Sequence, residues 1–327
     1  MTDASELIEA ARAGDRRALA RALSATERGD ELGRALSRAA FAASGGAYTV
    51  GLTGAPGAGK STLTSATVAT ARRRGERLAV LAIDPSSPFT GGALLGDRTR
   101  MNDHALDEGV FIRSMATRGH LGGLALTTPE AIRVLDAAGF AWVLVETVGV
   151  GQVEVAVAGA ADTTVVVINP GWGDSVQANK AGLMEIADVF VVNKADRDGA
   201  SQTVHDVEGM LDLTRGHGDR GWRPPVIPTV GTTGEGTEAL WEAIGAHRAH
   251  LEASGELAVR RSARLRDELD LVVVQRLRAA AEARLSGAER AAIDADLEAG
   301  RLDPWTAADR ILGDLGGADG GPSGGQR

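Results

Sequence analysis

The segment Gly54-Ala55-Pro56-Gly57-Ala58-Gly59-Lys60-Ser61 constrains the fold more than any other stretch of the chain. It fits G-x-x-x-x-G-K-[ST] and lies between a short β-rich run, 48–53, and a helical pattern over 61–74. The residue types follow from the chemistry. Glycines let successive backbone N–H groups turn inward around phosphate oxygens. The helix that follows aims its positive end at the same anion. Lys60 is placed to reach the β and γ phosphates, and the Ser61 hydroxyl to bind Mg²⁺. With Thr62, these residues form the expected triphosphate-binding loop.

The rest of the chain supplies a fold in which such a loop belongs. Residues 5 to about 43 read as helix, with Leu7, Ile8, Ala11, Leu19 and Leu23 at helical spacing, and Ser44-Gly45-Gly46 breaks the pattern. Apolar, mostly β-branched runs follow at 78–83, 110–114, 142–145, 163–168, 189–192 and 226–230, with a helical pattern at 129–138. Continuous apolar strands separated by helices predict an α/β fold with a mostly parallel sheet covered on both faces. Beyond about 237 the pattern is all helix, at 238–251, 259–285, 289–298 and 304–312. The expected division is a helical extension at 1–45, a nucleotide-binding domain at 46–255, a helical arm at 256–315 and a Gly-rich, disordered tail at 316–327.

Asn193-Lys194-Ala195-Asp196 directly follows the strand 189–192 and fits N-K-x-D. The Asp196 carboxylate can accept from guanine N1–H and N2–H₂. Adenine lacks that donor pair, and such a mismatch costs a factor of about 10⁴ or more. Asn193 and Lys194 would support the loop and the base plane. Val230-Gly231-Thr232 stands where the last guanine-binding motif falls; many GTPases carry Ser-Ala there, so Val-Gly leaves a backbone N–H to guanine O6.

Carboxylates complete the picture. Glu146, in Glu146-Thr147-Val148-Gly149, takes the Asp place of D-x-x-G and can hold Mg²⁺ directly or through water. The Gly149 N–H can sense the γ phosphate. Asp84, after the strand 78–83, and Asp97, in a Gly-rich loop, are further Mg²⁺ candidates; helix capping or a turn is their other reading. Val150 follows Gly149 directly and the nearest Gln is Gln152, so unaided hydrolysis is expected to be slow and a partner to accelerate it.

Composition sets the limits. With 35 basic against 44 acidic residues, net charge −9, the chain lacks the clustered cations that nucleic acid demands. Its densest basic run, Arg72-Arg73-Arg74, reads as a solvated helix end. The absence of cysteine excludes disulfides and thiolate metal sites. The first 16 residues lack a signal-peptide apolar stretch, and no apolar run approaches the roughly 18 residues of a membrane span. A soluble, cytoplasmic protein without membrane or nucleic-acid partners is expected.

These motifs together resemble the MeaB/ArgK group of P-loop GTPases. The likeness rests on the loop at 54–62, Asp84-Pro85-Ser86-Ser87, Gly96-Asp97-Arg98-Thr99-Arg100-Met101, Glu146 to Gln152 and Asn193-Lys194-Ala195-Asp196. The stretch 170–182 resembles that group's additional switch loop, with Asp174, Gln177 and Lys180 as its candidate contacts. The resemblance implies a GTP/GDP-switched, Mg²⁺-dependent chaperone for an adenosylcobalamin-dependent acyl-CoA mutase, typically methylmalonyl-CoA mutase. It also implies a homodimer joined through C-terminal helices, so that 256–315 would be a dimerisation arm; packing on its own nucleotide domain is the other reading. A nickel or zinc metallochaperone GTPase is a rival, disfavoured by the absence of Cys and by only six scattered His. An ATP-dependent small-molecule kinase is a second rival, against which Asp196 speaks. A binding module with dead catalysis is a third, against which Lys60, Ser61 and Glu146 speak.

Overall fold

The computed structural model describes residues 3–84, 101, 103–104, 106–116, 121–147, 159–171, 177–214, 221–285 and 287–312. Seven parallel strands form one sheet in the order β3-β2-β4-β1-β5-β6-β7. They are β1 (Tyr48–Thr53), β2 (Leu78–Asp84), β3 (Val110–Ala116), β4 (Trp142–Thr147), β5 (Thr163–Ile168), β6 (Val189–Asn193) and β7 (Val226–Thr229). All seven lie where the apolar runs put them. The uninterrupted apolar character has a simple origin. Side chains alternate between faces, and both faces are covered. In β5, Val165 and Val167 join one core while Val166 and Ile168 join the other; in β6, Val189 and Val191 part in the same way from Phe190 and Val192.

The first 43 residues correct an expectation. They form three helices, not one: α1 (Ala4–Arg12), α2 (Arg16–Arg28) and α3 (Glu31–Ala43). The apolar spacing runs on through 5–43, but Asp15 and Asp30 stop it by capping new helices. Asp15 accepts from the N–H groups of Arg17 and Ala18, and Asp30 from that of Gly33. These helices share a core with α5 (Leu121–Ala137) and with the sheet face carrying Ala79, Leu81, Ile83, Val143 and Val145. Leu23 and Leu36 are fully buried in it; truncating such a leucine to alanine costs about 2–5 kcal/mol. Helix α5 begins two turns before Pro129. Proline is a favoured first helical residue, and its signal hid the turns that precede it.

On the opposite face, α4 (Lys60–Arg73) and α8 (Thr237–Ser254) cover the centre, with Leu63, Val68, Leu240, Trp241 and Ile244 in the core. Two helices that the sequence pattern did not reveal, α6 (Gln177–Ile186) and α7 (Ala200–Thr214), cover β5 and β6 through Leu183, Val207 and Leu211. The last three are α9 (Glu256–Arg284), α10 (Gly287–Glu298) and α11 (Pro304–Leu312). The chain divides into two compact units, Met1–Leu265 and Arg266–Arg327. The first therefore includes the nucleotide fold, the N-terminal helices and the start of α9. The second has a small core of its own, around Ile293, Leu302 and Ala307. No helix among the described residues is long and apolar enough to cross a membrane.

Candidate nucleotide site

The candidate site lies at the C-terminal ends of β1, β4, β6 and β7, on the sheet edge where parallel α/β folds bind ligands. The loop from β1 to α4 makes its floor. Two glycines are required there. Gly54 has φ +136°, and a Cβ on it would fall 2.0 Å from the Val167 carbonyl oxygen. Gly59 caps α4 at φ +90°, where a Cβ would fall 2.5 Å from the Asn193 amide nitrogen. The loop is thus wedged between β5 and the end of β6, and no side chain fits at either point.

Lys60 opens α4. Its Nζ donates to the Gly54 carbonyl at 2.7 Å and the Ala55 carbonyl at 3.1 Å, so the ammonium lies over the loop. One residue on, the Ser61 hydroxyl donates to Glu146 Oε1 at 2.5 Å. Both side chains are buried, Glu146 fully. The register explains the meeting: β4 lies beside β1, with Leu52 opposite Glu146, so the carboxylate emerges beside the start of α4. A carboxylate beside a hydroxyl, with oxygen donors only, suits a small hard cation such as Mg²⁺.

Asn193 binds three segments together. Its amide donates to the Ala58 carbonyl at 2.8 Å, while its oxygen accepts from the Gly231 N–H at 3.0 Å and the Thr229 hydroxyl at 3.1 Å. The side chain is buried and therefore uses most of its bonding capacity. Lys194 has φ +60°, the one positive φ outside glycine among the described residues. That backbone turn sends its Nζ back to the Gly57 carbonyl at 2.6 Å. This uncommon left-handed residue is tied at its far end to the loop between β1 and α4. Asp196 stands exposed at the tip of the same loop. The loop itself is pinned by the Ala195 N–H donating to the Thr229 carbonyl at 2.9 Å.

The expected site residues divide into two groups. Residues 54–62, Glu146, Asn193, Lys194, Asp196 and Val230-Gly231-Thr232 come together at this one edge. Asp97, Gly149, Gln152 and Asp174 lie outside the described residues. Asp84 ends β2 with its side chain outside them. Gln177 and Lys180 sit on α6 rather than in a loop, and their side chains are likewise outside. Sequence reasoning missed Thr229: no motif includes it, and only its buried bond to Asn193 reveals its part.

The Arg72-Arg73-Arg74 run is committed to the fold. Arg72 pairs with Asp107, Arg73 with Glu238, and Arg74 with both Glu238 and Glu242. It ends α4 with Arg73 and Arg74 exposed, as a solvated helix end does, and its surface pairs reach α8 while the half-buried Arg72 reaches the approach to β3.

The family profile described as "Methylmalonyl Co-A mutase-associated GTPase MeaB" matches residues 17–286. A protein of Pyrococcus horikoshii named as a GTPase is 49% identical over 316 residues, 95% of this chain and 98% of its own. The GTPase ArgK of Escherichia coli is 41% identical over 260 residues, 77% of this chain and 78% of its own. A solved structure described as a LAO/AO transport system kinase superposes with a TM-score of 0.69 at 30% identity, covering 94% of this chain and 96% of that one.

Proposed function

The chain belongs to the MeaB family of P-loop GTPases, and from that premise we propose that it is a nucleotide-switched chaperone. In this reading it gates cofactor loading of an adenosylcobalamin-dependent acyl-CoA mutase, most simply methylmalonyl-CoA mutase, and protects it. One observation carries the proposal. The profile that names the mutase spans the nucleotide fold together with α2 and α3 before it and α9 after it, so the likeness is not confined to the phosphate loop.

The site chemistry is read as follows. The backbone of 54–59 and the start of α4 cradle the phosphates, and Lys60 leaves its carbonyl partners to bind the β and γ oxygens. Ser61 and Glu146 would hold Mg²⁺, with Asp84 or Asp97 as a further oxygen ligand. When bound, the ion neutralises charge on the β and γ oxygens. Asp196 and a backbone N–H of the turn 230–232 read guanine, while Asn193, accepting from the Gly231 N–H and the Thr229 hydroxyl, holds the two loops in register. Gly149 senses the γ phosphate, and Gln152 is the nearest candidate to orient water; unaided turnover is slow.

Asp174, Gln177 and Lys180 would carry the nucleotide state to the client. The energy available is only the difference in client affinity between the two states. Leu269, Val273 and Leu277 recur every fourth residue on α9 and are exposed, which supports a homodimer through the arm. The decisive experiment is capture of candidate acyl-CoA mutases with GDP and with a non-hydrolysable GTP analogue. Mutase binding is expected to depend on the nucleotide. Equal or absent capture with both nucleotides sinks the chaperone reading.

A further inference from the structure

The loop that carries Asp196 is gripped twice by one residue outside it. Thr229 ends β7 directly opposite Asn193, the last residue of β6. Its hydroxyl donates to Asn193 Oδ1 at 3.1 Å, and its carbonyl accepts from the Ala195 N–H at 2.9 Å. Lys194 lies between these two holds with its φ of +60°. A residue with a side chain keeps that backbone only where its surroundings fix it. Thr229 thus holds the left-handed turn on both sides, and Asp196 stands one residue beyond.

Thr229 has little room to move. It is fully buried, and Gly236 backs it so closely that a Cβ there would fall 2.2 Å from the Pro228 carbonyl oxygen and 3.1 Å from Thr229 Cα and Cγ2. Strand β7 does not need the hydroxyl, since valine offers the same branched shape without a buried polar group to satisfy. The hydroxyl serves Asn193. With Thr229 and the Gly231 N–H (3.0 Å) both donating to its oxygen, the Asn193 amide turns its nitrogen to the Ala58 carbonyl at 2.8 Å. The Gly231 N–H is spent on that bond, so the base-facing group held by this arrangement is the Asp196 carboxylate. We infer that Thr229 is a positioning residue for guanine specificity, acting through Asn193 and the Lys194 turn to hold Asp196 at the base edge. The proposal rests on the reading that Asp196 meets guanine N1–H and N2–H₂.

The test uses the full chain and measures the Kd values of GDP and IDP, whose hypoxanthine lacks the 2-amino group. Wild type should favour GDP, and Asp196→Ala should lose that preference. Thr229→Val, similar in shape but without the hydroxyl, should weaken GDP by about fivefold, the net worth of one hydrogen bond. IDP should weaken less, because it makes one bond fewer to the carboxylate, so the ratio of the two Kd values narrows. Thr229→Ser, which brings the hydroxyl back, should restore the ratio. A residue that only stabilised the fold would lower the urea midpoint and leave the ratio unchanged. Thr229→Ala carries the test if Thr229→Val does not fold. A folded Thr229→Val or Thr229→Ala that keeps the wild-type ratio overturns the proposal and leaves the reading of Asp196 standing. If Asp196→Ala itself keeps the preference for GDP, the reading of Asp196 fails first and the proposal falls with it.

Discussion

The two ends of the sheet use charge in opposite ways. At the C-terminal ends of the strands, Lys60 and Lys194 donate to backbone carbonyls, and Asp196 is exposed. At the N-terminal ends, Asp162 and Asp188 precede β5 and β6 and are buried among arginines from the start of α9. Asp162 receives Arg261, Arg264 and the Thr49 N–H; Asp188 receives Arg260 and the Thr164 N–H. Burial alone would push the Asp162 carboxyl up, but Arg261 and Arg264 outweigh it and hold the group below its ordinary range. At Asp188 burial wins over Arg260 and pushes the carboxyl up. The difference is instructive. A carbonyl partner costs little to leave, so the upper edge can exchange it for phosphate. A buried counter-charge cannot be left, so the lower edge is anchorage.

Removing the upper charge should have the largest effect. Lys60→Ala is expected to slow single-turnover GTP hydrolysis by about 10²–10³-fold, the scale for losing one preorganised donor to developing charge. Its unfolding midpoint should barely move. A large fall in stability with activity retained would erase the distinction between the two ends.

Asp162→Ala tests the lower edge. It leaves Arg261 and Arg264 without their counter-charge, and breaking such a pair costs about 3–5 kcal/mol. Urea unfolding should show this loss, while GDP affinity of the remaining folded protein stays within about twofold. Coupled losses of stability and affinity would mean that β5 transmits strain from one end to the other.

A smaller effect is expected from His247, which lies beneath the same anchorage. Burial, reinforced by Arg260, lowers its pKa to about 4; Nδ1 bonds the Thr163 hydroxyl at 2.8 Å. Nε2 lies 3.3 Å from Asp188 Oδ1, an electrostatic contact without hydrogen-bond alignment. Unfolded, the imidazole takes up a proton near 6.5; folded, it does so only near 4. Its contribution to stability is therefore present above 6.5 and lost as pH falls towards 4. The raised Asp188 carboxyl works in the opposite sense, gaining a proton earlier on folding. The stability advantage of wild type over His247→Gln should thus shrink between pH 7 and pH 4 in urea titrations. An advantage that grows on acidification would assign the dominant proton to Asp188.

The same contrast explains what could be read in advance. The upper edge is built from motifs whose members are adjacent in sequence, so 54–62 and Asn193 to Asp196 declared themselves. The strands were legible because burial on both faces leaves long apolar runs. The anchorage was not, because Asp162 and Arg261 are 99 residues apart and each alone is an ordinary surface residue type. Helices α6 and α7 escaped for a related reason. They follow motif loops and carry Gly182 and Gly209 within polar stretches, which weakens the apolar period. The three N-terminal helices merged into one because capping aspartates at 15 and 30 are invisible to a search for apolar spacing alone.

The smallest predicted effect is the finest probe of the upper edge. Many GTPases carry alanine where this chain has Gly231. Here an added Cβ would lie 3.2 Å from the Leu63 N and 3.3 Å from both Leu63 Cα and Asn193 Oδ1, tighter than ordinary contact. Leu63 cannot easily yield, since its N–H closes the first turn of α4 on the Gly59 carbonyl at 2.9 Å. Asn193 can move only by loosening its bond to the Gly231 N–H or its hold on Ala58. Gly231→Ala should therefore cost about 1 kcal/mol, the lower range for overpacking, and weaken GDP by severalfold with no change at the anchorage. Paired measurements of urea midpoint and GDP Kd check this. If neither moves, the turn stands further from α4 than its hydrogen bonds imply, and the glycine is not required by the close approach of the two segments.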